Sequence, residues 1–134
     1  MAFTTLRAFV DALADLDIDG VRRKRKVMPT EINRADLPMS YVRIPDASRS
    51  TSTLSYGMDL RHGVAELVVV VAPMLTGTQE RNFYATVDMV DAIADALVAN
   101  AAALGMDGYE IRSEEDTMGD VAYWALVARV EASG

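Results

Sequence analysis

Residues 64–72 read VAELVVVVA, and the rest of the fold is best predicted outward from this stretch. A strand with one face in water alternates apolar and polar residues, whereas a strand buried on both faces is apolar almost throughout. The run of valines therefore predicts a strand at the centre of a sheet, or one whose second face is covered. A further strand at 53–60 is predicted to pair with it as a hairpin.

Two amphipathic segments predict the helices that pack on this sheet. Residues 4–16 carry apolar residues at spacings of three and four, with Thr4 or Thr5 able to cap the start. Residues 79–104 predict a longer helix, which Gly105 ends. Its predicted apolar stripe consists of Phe83, Val87, Val90, Ile93, Ala94, Leu97, Ala101 and Leu104.

The remaining strand signals complete the predicted fold. They lie at 21–27, in LPMSYVRIP between Pro38 and Pro45, at 109–113 and at 121–130, with the acidic segment EEDTMGD as the turn before the last strand. The order α-β-β-β-β-α-β-β predicts an α+β fold, a mostly antiparallel sheet packed by an N-terminal helix and one long helix. The length of 134 residues predicts a single domain, 1–134.

The composition argues against several classes of site. The sequence contains no cysteine, which excludes disulfides, thiolate metal sites and cysteine nucleophiles. No run approaches the roughly 20 apolar residues that span a bilayer, and the N-terminus carries no cationic leader, so we expect neither a membrane partner nor a signal peptide. The net charge of −7 argues against general binding to nucleic acid.

The segment DLDIDGVRRKRKVMPT at 15–30 raises the question of a calcium site. Its opening matches the D-x-D-x-D-G start of an EF-hand loop, with Gly20 in the position of the invariant glycine. Such a loop needs a bidentate glutamate at its twelfth position, where this sequence has Lys26. The pattern therefore favours a helix end and a turn, in which Gly20 supplies a positive φ angle.

The five consecutive cations that follow are Arg22, Arg23, Lys24, Arg25 and Lys26, out of 13 basic residues in the chain. In a strand their side chains alternate between two faces, and neither face is apolar enough to cover a core. This behaviour is typical of an exposed edge strand, where charge prevents unwanted pairing. An interface with an acidic protein surface and a nucleic-acid contact are the alternatives.

Residues that could perform catalysis are scarce, so the sequence predicts neither an enzyme nor a cofactor. His62 is the only histidine and lies in a predicted turn. The carboxylates of Glu114, Glu115, Asp116 and Asp120 could hold a hard cation, although loop carboxylates are more often simply solvated. A small metal-dependent enzyme that uses these carboxylates is one alternative function, and it predicts that metal raises thermal stability.

The last predicted strand has two apolar sets of side chains. Trp124 and its alternating neighbours can face the helices, yet Tyr123 and Val127 then lie with Arg129 on a face expected to be wet. The sequence therefore predicts that the second face of the sheet meets another subunit, or that the helix at 4–16 covers it.

The order of segments resembles that of the small tail terminator proteins of bacteriophages with long non-contractile tails, which belong to the head–tail joining proteins of the neck. A short amphipathic helix ends in DLDIDGVRRKRKV, and ADLPMSYVRIP follows a polar link. A loop rich in serine and threonine, a valine-rich strand, a long helix ending in ALGMDG and two final strands complete the pattern. The resemblance covers nearly the whole chain.

This resemblance implies a structural virion protein that forms a homohexameric ring on the tail tube, ends tube growth and joins the head. The implied partners are further copies of the chain, the tail tube protein and head-completion or connector proteins, with DNA passing through the ring without specific binding. The implied location is the virion neck, and the host cytoplasm during assembly. Another neck component, a head-completion or stopper protein, is the alternative within the same class.

Three groups of residues are candidate protein-interface residues. Around a closed ring, each subunit joins two different patches of its surface, and the cations at 22–26 and the acidic residues at 88–95 or 114–120 are plausible opposites. The flexible polar loop at 46–52 is a second candidate contact. The candidates are Arg22, Arg23, Lys24, Arg25, Lys26, Asp46, Ser48, Arg49, Ser50, Tyr123, Val127 and Arg129.

Overall fold

The computed structural model describes residues 6–26, 29, 32–44, 55–57, 60–74, 79–118 and 121–133. The helices are α1 (Leu6–Ala14), α2 (Gln79–Ala99) and the short α3 (Ala101–Leu104). The strands are β1 (Arg23–Lys24), β2 (Met39–Arg43), β3 (Ser55–Gly57), β4 (Leu60–Pro73), β5 (Met106–Met118) and β6 (Val121–Ser133). Each predicted helix and strand has a counterpart in this order, whereas Thr4, Thr5 and the loop at 46–52 lie outside the described residues.

The strands form one sheet in the spatial order β1-β2-β4-β6-β5, and β3 pairs with the beginning of β4. Among the described strands, the pairs are antiparallel except for β1 with β2, which is parallel. The predicted α+β class and its mostly antiparallel sheet are therefore confirmed. β3 and the beginning of β4 do pair, with Ser55 opposite His62 and Gly57 opposite Leu60, but the position predicted for the turn is wrong, because His62 lies within β4.

The central position predicted for the valine-rich strand is confirmed. β4 lies between β2 and β6, and its residues from Val64 to Val71 are at most 4% exposed. Because side chains of a strand point alternately to opposite faces, this burial requires cover on both sides of the sheet. One face carries α1 and α2 and is called the helix face below; the other is called the second face.

The helix face holds the larger apolar core. Phe9 and Leu13 of α1 and Ile93 and Leu97 of α2 belong to one cluster with the β4 side chains that point to this face, such as Leu67. Both helices therefore pack on the same side of the sheet. The alternative that the helix at 4–16 covers the second face is wrong, because its apolar side is occupied by this shared core.

The face that α2 buries differs from the predicted stripe. Thr86, Met89, Ile93 and Leu97 are buried, whereas Phe83 and Val87, predicted to be inside, are 48% and 44% exposed. The buried set also follows spacings of three and four, so periodicity admits both solutions. The burial of Thr86 is possible because its hydroxyl donates to the carbonyl of Asn82, at 2.8 Å, which removes the cost of an unpaired polar group.

The end of the long helix has a local cause. Asn100 interrupts it between α2 and α3, and its side-chain amide donates to the carbonyl of Ala96 at 2.8 Å, in competition with the backbone. α3 then ends at Gly105, whose φ of 65° is left-handed and whose N–H donates to the carbonyl of Ala102. A residue without a β-carbon adopts this angle without strain, so the predicted role of Gly105 as a stop is confirmed.

The final strand pair is longer than predicted. β5 and β6 each contain 13 residues, and the paired register runs from Met106 opposite Ala132 to Met118 opposite Val121. Glu114, Glu115 and Asp116 were expected in a turn, but they lie within β5. Cross-strand pairing with β6 overrides the low strand propensity of these acidic residues, because propensity is a weak preference beside sheet hydrogen bonding.

The two sides of α2 can be compared by truncation. Ile93→Ala should lower the free energy of unfolding by about 2–5 kcal/mol, because the buried side chain leaves a cavity. Val98→Ala, on the same helix but 60% exposed, should change it by less than about 0.5 kcal/mol. Urea denaturation of both variants measures these values, and equal losses would contradict the observed orientation of the helix.

Candidate protein interface

The cationic run lies at one edge of the sheet. β1 is the terminal strand, pairs on one side with β2, and has no neighbour on its other side among the described strands. The predicted edge position is confirmed, although within the described residues 21–26 of the predicted strand only Arg23 and Lys24 have strand geometry. Backbone hydrogen bonds from Arg22 to Pro38 and from Arg25 to Ser40 extend its attachment to β2 at both ends.

The cations of this run alternate between the two faces and pair with nearby acids. On the helix face, the Nζ atom of Lys24 lies 2.8 Å from Oδ1 of Asp17, and that of Lys26 lies 4.0 Å from Oδ1 of Asp11. On the other side, Arg23 and Arg25 approach Asp36 at 3.9 and 4.0 Å. The run is therefore partly neutralised within the chain, while all its side chains keep solvent-accessible surface.

The same contacts explain the aspartates that resemble a calcium loop. Asp17 accepts a hydrogen bond from Lys24, whose charge holds the pKa of this carboxyl below its ordinary value. Lys24 also donates to the carbonyl of Asp15 at 3.1 Å, so one ammonium group binds two points of the turn. Gly20 has a φ of 89°, which a residue with a β-carbon rarely adopts. The predicted turn with its positive φ angle is therefore confirmed.

Tyr123 and Val127 point to the second face and are buried within the chain. They belong to an apolar cluster that also contains Leu37, Met39, Tyr41, Val68, Val70 and Ala125, with Ile32 and Val121 packed against it. The chain itself therefore covers these two side chains, and neither presents surface to a partner. Arg129 is partly exposed and lines a shallow concavity of about 240 Å³ with Glu110 and Glu131, beside β5.

Four charged side chains from three strands form an ion-pair network on the second face: Arg43, Glu66, Arg112 and Glu114. Glu66 is buried, and its two carboxylate oxygens accept from Nε of Arg43 at 2.8 Å and from Nη2 of Arg112 at 3.1 Å. Arg43 also donates to Glu114 at 3.0 Å, and Arg112 lies 3.8 Å from it. Positive and negative groups alternate around a closed cycle, so every member has two opposite charges as neighbours.

The electrostatics of this network follow from burial and pairing. Burial alone would raise the pKa of the Glu66 carboxyl, but the hydrogen bonds from Arg43 and Arg112 outweigh it and hold this pKa below its ordinary value. Nearby, burial and then the charge of Asp116 raise the pKa of Tyr41 to about 12, so this phenol stays protonated and donates to Asp116 at 3.2 Å. The lowered pKa means that the Glu66 carboxylate is ionised at neutral pH.

The contact between Tyr41 and Asp116 also reports on the shape of the sheet. β2 and β5 are separated by β4 and β6, which places them about 14 Å apart in a flat sheet with strands about 4.8 Å apart. The two side chains together are too short to span that distance. The outer strands must therefore bend toward one another over the second face, which helps to enclose its apolar cluster.

Of the four network residues, the sequence analysis named only Glu114, as a possible cation ligand or interface acid and not as part of an ion-pair network. The available signal was Glu66 itself, since a carboxylate inside the apolar run VAELVVVVA must find cationic partners when the strand is buried. Its partners are Arg43, 23 positions earlier on β2, and Arg112, 46 positions later on β5. No local sequence pattern marks either of them.

A patch of apolar side chains on α2 is exposed. Phe83, Tyr84 and Val87 keep large accessible fractions, and the Phe83 and Tyr84 rings lie edge to face with centroids 5.6 Å apart. The Phe83 ring contacts Trp124 of β6 edge-on, with centroids 6.3 Å apart, and the indole N–H of Trp124 has no hydrogen-bond acceptor in the described structure. Neighbouring exposed apolar groups of this size are typical of surfaces that meet another protein.

The candidate loop residues Asp46, Ser48, Arg49 and Ser50 lie outside the described residues. In the part of the chain that the structure describes, no group of three or more metal-binding side chains is assembled, and no helix is long and apolar enough to cross a membrane. Comparison with known protein families gives no matching family model, and comparison with curated proteins gives no match.

The buried carboxylate provides a test of the network. Glu66→Gln should lower the free energy of unfolding by about 3 kcal/mol at pH 7, because it removes the buried carboxylate and leaves Glu114 as the one remaining counter-ion of the two arginines in this network. A carboxyl with a lowered folded-state pKa stabilises above its unfolded pKa, about 4.3, and loses this contribution as pH falls through the folded value. The difference between wild type and variant should therefore shrink in acid.

The matched control is Asp17→Asn, which removes the charge of an almost fully exposed carboxylate in another ion pair. It should leave the free energy of unfolding nearly unchanged, because exposed pairs contribute little. Chemical denaturation between pH 3 and pH 7 measures both variants. A loss for Glu66→Gln that is no larger than the control, or that does not depend on pH, would contradict the role assigned to the network.

Proposed function

We propose that this chain is a structural virion protein that forms a ring on the tail tube of a long-tailed bacteriophage, ends tube growth and provides the surface for head joining. Its partners are further copies of itself, the tail tube protein and the head-completion or connector proteins. It acts in the virion neck and assembles in the host cytoplasm, and DNA passes through the ring without sequence-specific contacts.

The observation that carries this proposal is the order of the segments along the chain. The helix, the aspartate-rich turn and the cationic strand come first, and the segment that contains DLP leads into β2. The valine-rich strand, the long helix with its ALGMDG ending, and the β5–β6 pair follow in the order that the resemblance requires.

Three surface features support a role in assembly with other proteins. The apolar patch on α2 includes Phe83 and Tyr84, which remain accessible. Cations collect at the β1 edge, and carboxylates collect on the outer strand β5. A ring in which every subunit contacts the next in the same way needs two different, complementary patches on each subunit, and opposite charges supply such a pair.

The mass of the purified protein in solution, combined with negative-stain imaging, tests the ring. Six-subunit rings are expected, either for the protein alone or when assembled tail tubes are added. In a phage that lacks this chain, tubes should grow to irregular lengths and fail to join heads, and supplying the chain should restore both. A protein that stays monomeric alone and does not bind tube ends would contradict the proposal.

The contribution of the cationic strand can be measured by charge reversal. The double substitution Arg23→Glu and Arg25→Glu should weaken ring formation or docking at least tenfold, because two favourable ionic contacts become repulsive. Raising the salt concentration should weaken the wild-type rings in the same assay, since mobile ions screen exposed charges.

Arg7→Glu is the control, since it reverses an exposed cation on α1 outside the run. It should leave assembly unchanged. Rings that form normally with both cations reversed, or that respond equally to the control, would show that the cationic strand is only a solvated edge.

A further inference from the structure

The outer edge of β5 is the longest strand edge without a partner in the described structure. β5 extends over 13 residues and pairs with β6 on one side only. A strand edge exposes backbone N–H and C=O groups that can bind another strand, and proteins usually cover or shorten such edges. The opposite edge of the sheet, at β1, is equally open among the described strands but much shorter.

The two edges carry opposite charges. β5 contains the acids Asp107, Glu110, Glu114, Glu115 and Asp116 against the single cation Arg112, whereas the segment around β1 contains the five cations of 22–26. Ion pairs within the chain neutralise only part of these opposite charges. Three acids, Asp11, Asp17 and Asp36, face the five cations, and Glu110 and Glu115 make no ion pair with any described residue.

These charges select between two ways in which copies of the chain could join. Two β5 edges placed together would bring carboxylates against carboxylates, and two β1 edges would bring cations against cations. Joining β1 of one copy to β5 of the next brings opposite charges together. The favoured contact is therefore head to tail, which generates a ring if the rotation between copies closes.

The strand directions allow this contact without turning the sheet over. β1 runs parallel to β2, and β2 and β6 both run antiparallel to β4, so β5 points opposite to β1. If the next copy continues the sheet in the same orientation, its β1 meets β5 in an antiparallel pair, and the helix faces lie on the same side. Antiparallel pairing is slightly the more stable arrangement.

One register matches both the faces and the charges. Glu115 lies opposite Trp124 of β6, so its side chain points to the helix face. The side chains of Lys24 in β1 and of Lys26 just after it point to the same face. Placing Lys24 opposite Glu115 brings Arg25 opposite Glu114 and Arg23 opposite Asp116. All three pairs have opposite charges and lie on matching faces. A shift of two residues toward the start of β5, the smallest shift that keeps the faces matched, would instead place Arg25 opposite Arg112.

We propose that copies of this chain join by antiparallel pairing of the β1 edge of one subunit with the β5 edge of the next, with RKR at 23–25 opposite EED at 114–116. This junction names the two surfaces that meet in the proposed ring. Its biological role rests on that proposed function. Few backbone hydrogen bonds form at each short junction, so closure of the ring supplies much of the assembly's stability.

The absence of native cysteine makes disulfide trapping a direct test. Lys24→Cys and Glu115→Cys are prepared as separate proteins, mixed and oxidised. The two cysteines lie directly opposite one another in the proposed register, where β-carbons about 4.5–5.5 Å apart allow a disulfide with small adjustments. A covalent dimer should form in the mixture at least tenfold faster than with either protein alone.

Two matched cysteine variants control for chance collision and for register. Asp95→Cys replaces an exposed residue of α2 away from both edges, and Ser113→Cys lies on the same face of β5 as Glu115, two residues nearer the start of the strand. Both should react with Lys24→Cys far more slowly. Equal yields with Asp95→Cys, or a Glu115→Cys dimer formed as fast alone as in the mixture, would overturn the junction.

Charge reversal gives a second readout that needs no cysteine. Glu115→Lys should reduce self-association at least tenfold, whereas Glu110→Lys, with the same charge change on the same strand, should have little effect. Both residues are exposed, and circular dichroism melting checks that the variants fold. Equal effects of the two substitutions would overturn the proposed register.

The outcomes separate this junction from the function proposed above. If the wild-type protein forms rings but Lys24→Cys and Glu115→Cys are not trapped as a dimer, the junction is overturned and the ring proposal stands. Efficient trapping in a protein that neither forms rings nor binds tube ends would support the junction and contradict the tail-terminating role.

Discussion

The ionised carboxylate of Glu66, buried at the centre of the second face, is the constraint on which this side of the protein depends. A charge in that position is costly unless opposite charges surround it. Arg43 arrives from β2 and Arg112 from β5, and Glu114 balances the excess positive charge. Bringing these groups together draws both flanks of the sheet over the apolar cluster, so that the described strands themselves help to bury the second face of β4.

The helix face is organised by ordinary apolar packing, and this difference divides the molecule into two unlike halves. α1 and α2 share one core with β4 and β6, and their polar sides remain in water. Among the described residues, the two sheet edges and the flank of α2 with Phe83 and Val87 remain exposed. A protein built in this way presents opposite charges at opposite ends of one sheet, an arrangement suited to repeated head-to-tail contacts.

The sequence predicted those parts of the fold whose signals are local. Continuous valines identified the central strand, Gly105 the end of the helical segment, and five cations the sheet edge. The buried side of α2 was predicted less well, because Phe83 and Val87 satisfy helical periodicity as well as Met89 and Thr86 do. In the candidate interface, the edge position of the cations was predicted, whereas the burial of Tyr123 and Val127 within one chain was not.

The class of fold, the order of helices and strands, and the central place of β4 could be predicted from residues that are neighbours along the chain. The partners of the charged side chains could not be predicted in this way, because they are set by tertiary contacts. Glu66 is neutralised by arginines on two other strands, and Asp17 by a lysine beyond a turn. Such pairings depend on distances between strands that are remote in sequence, and these distances arise only when the sheet is assembled and curved.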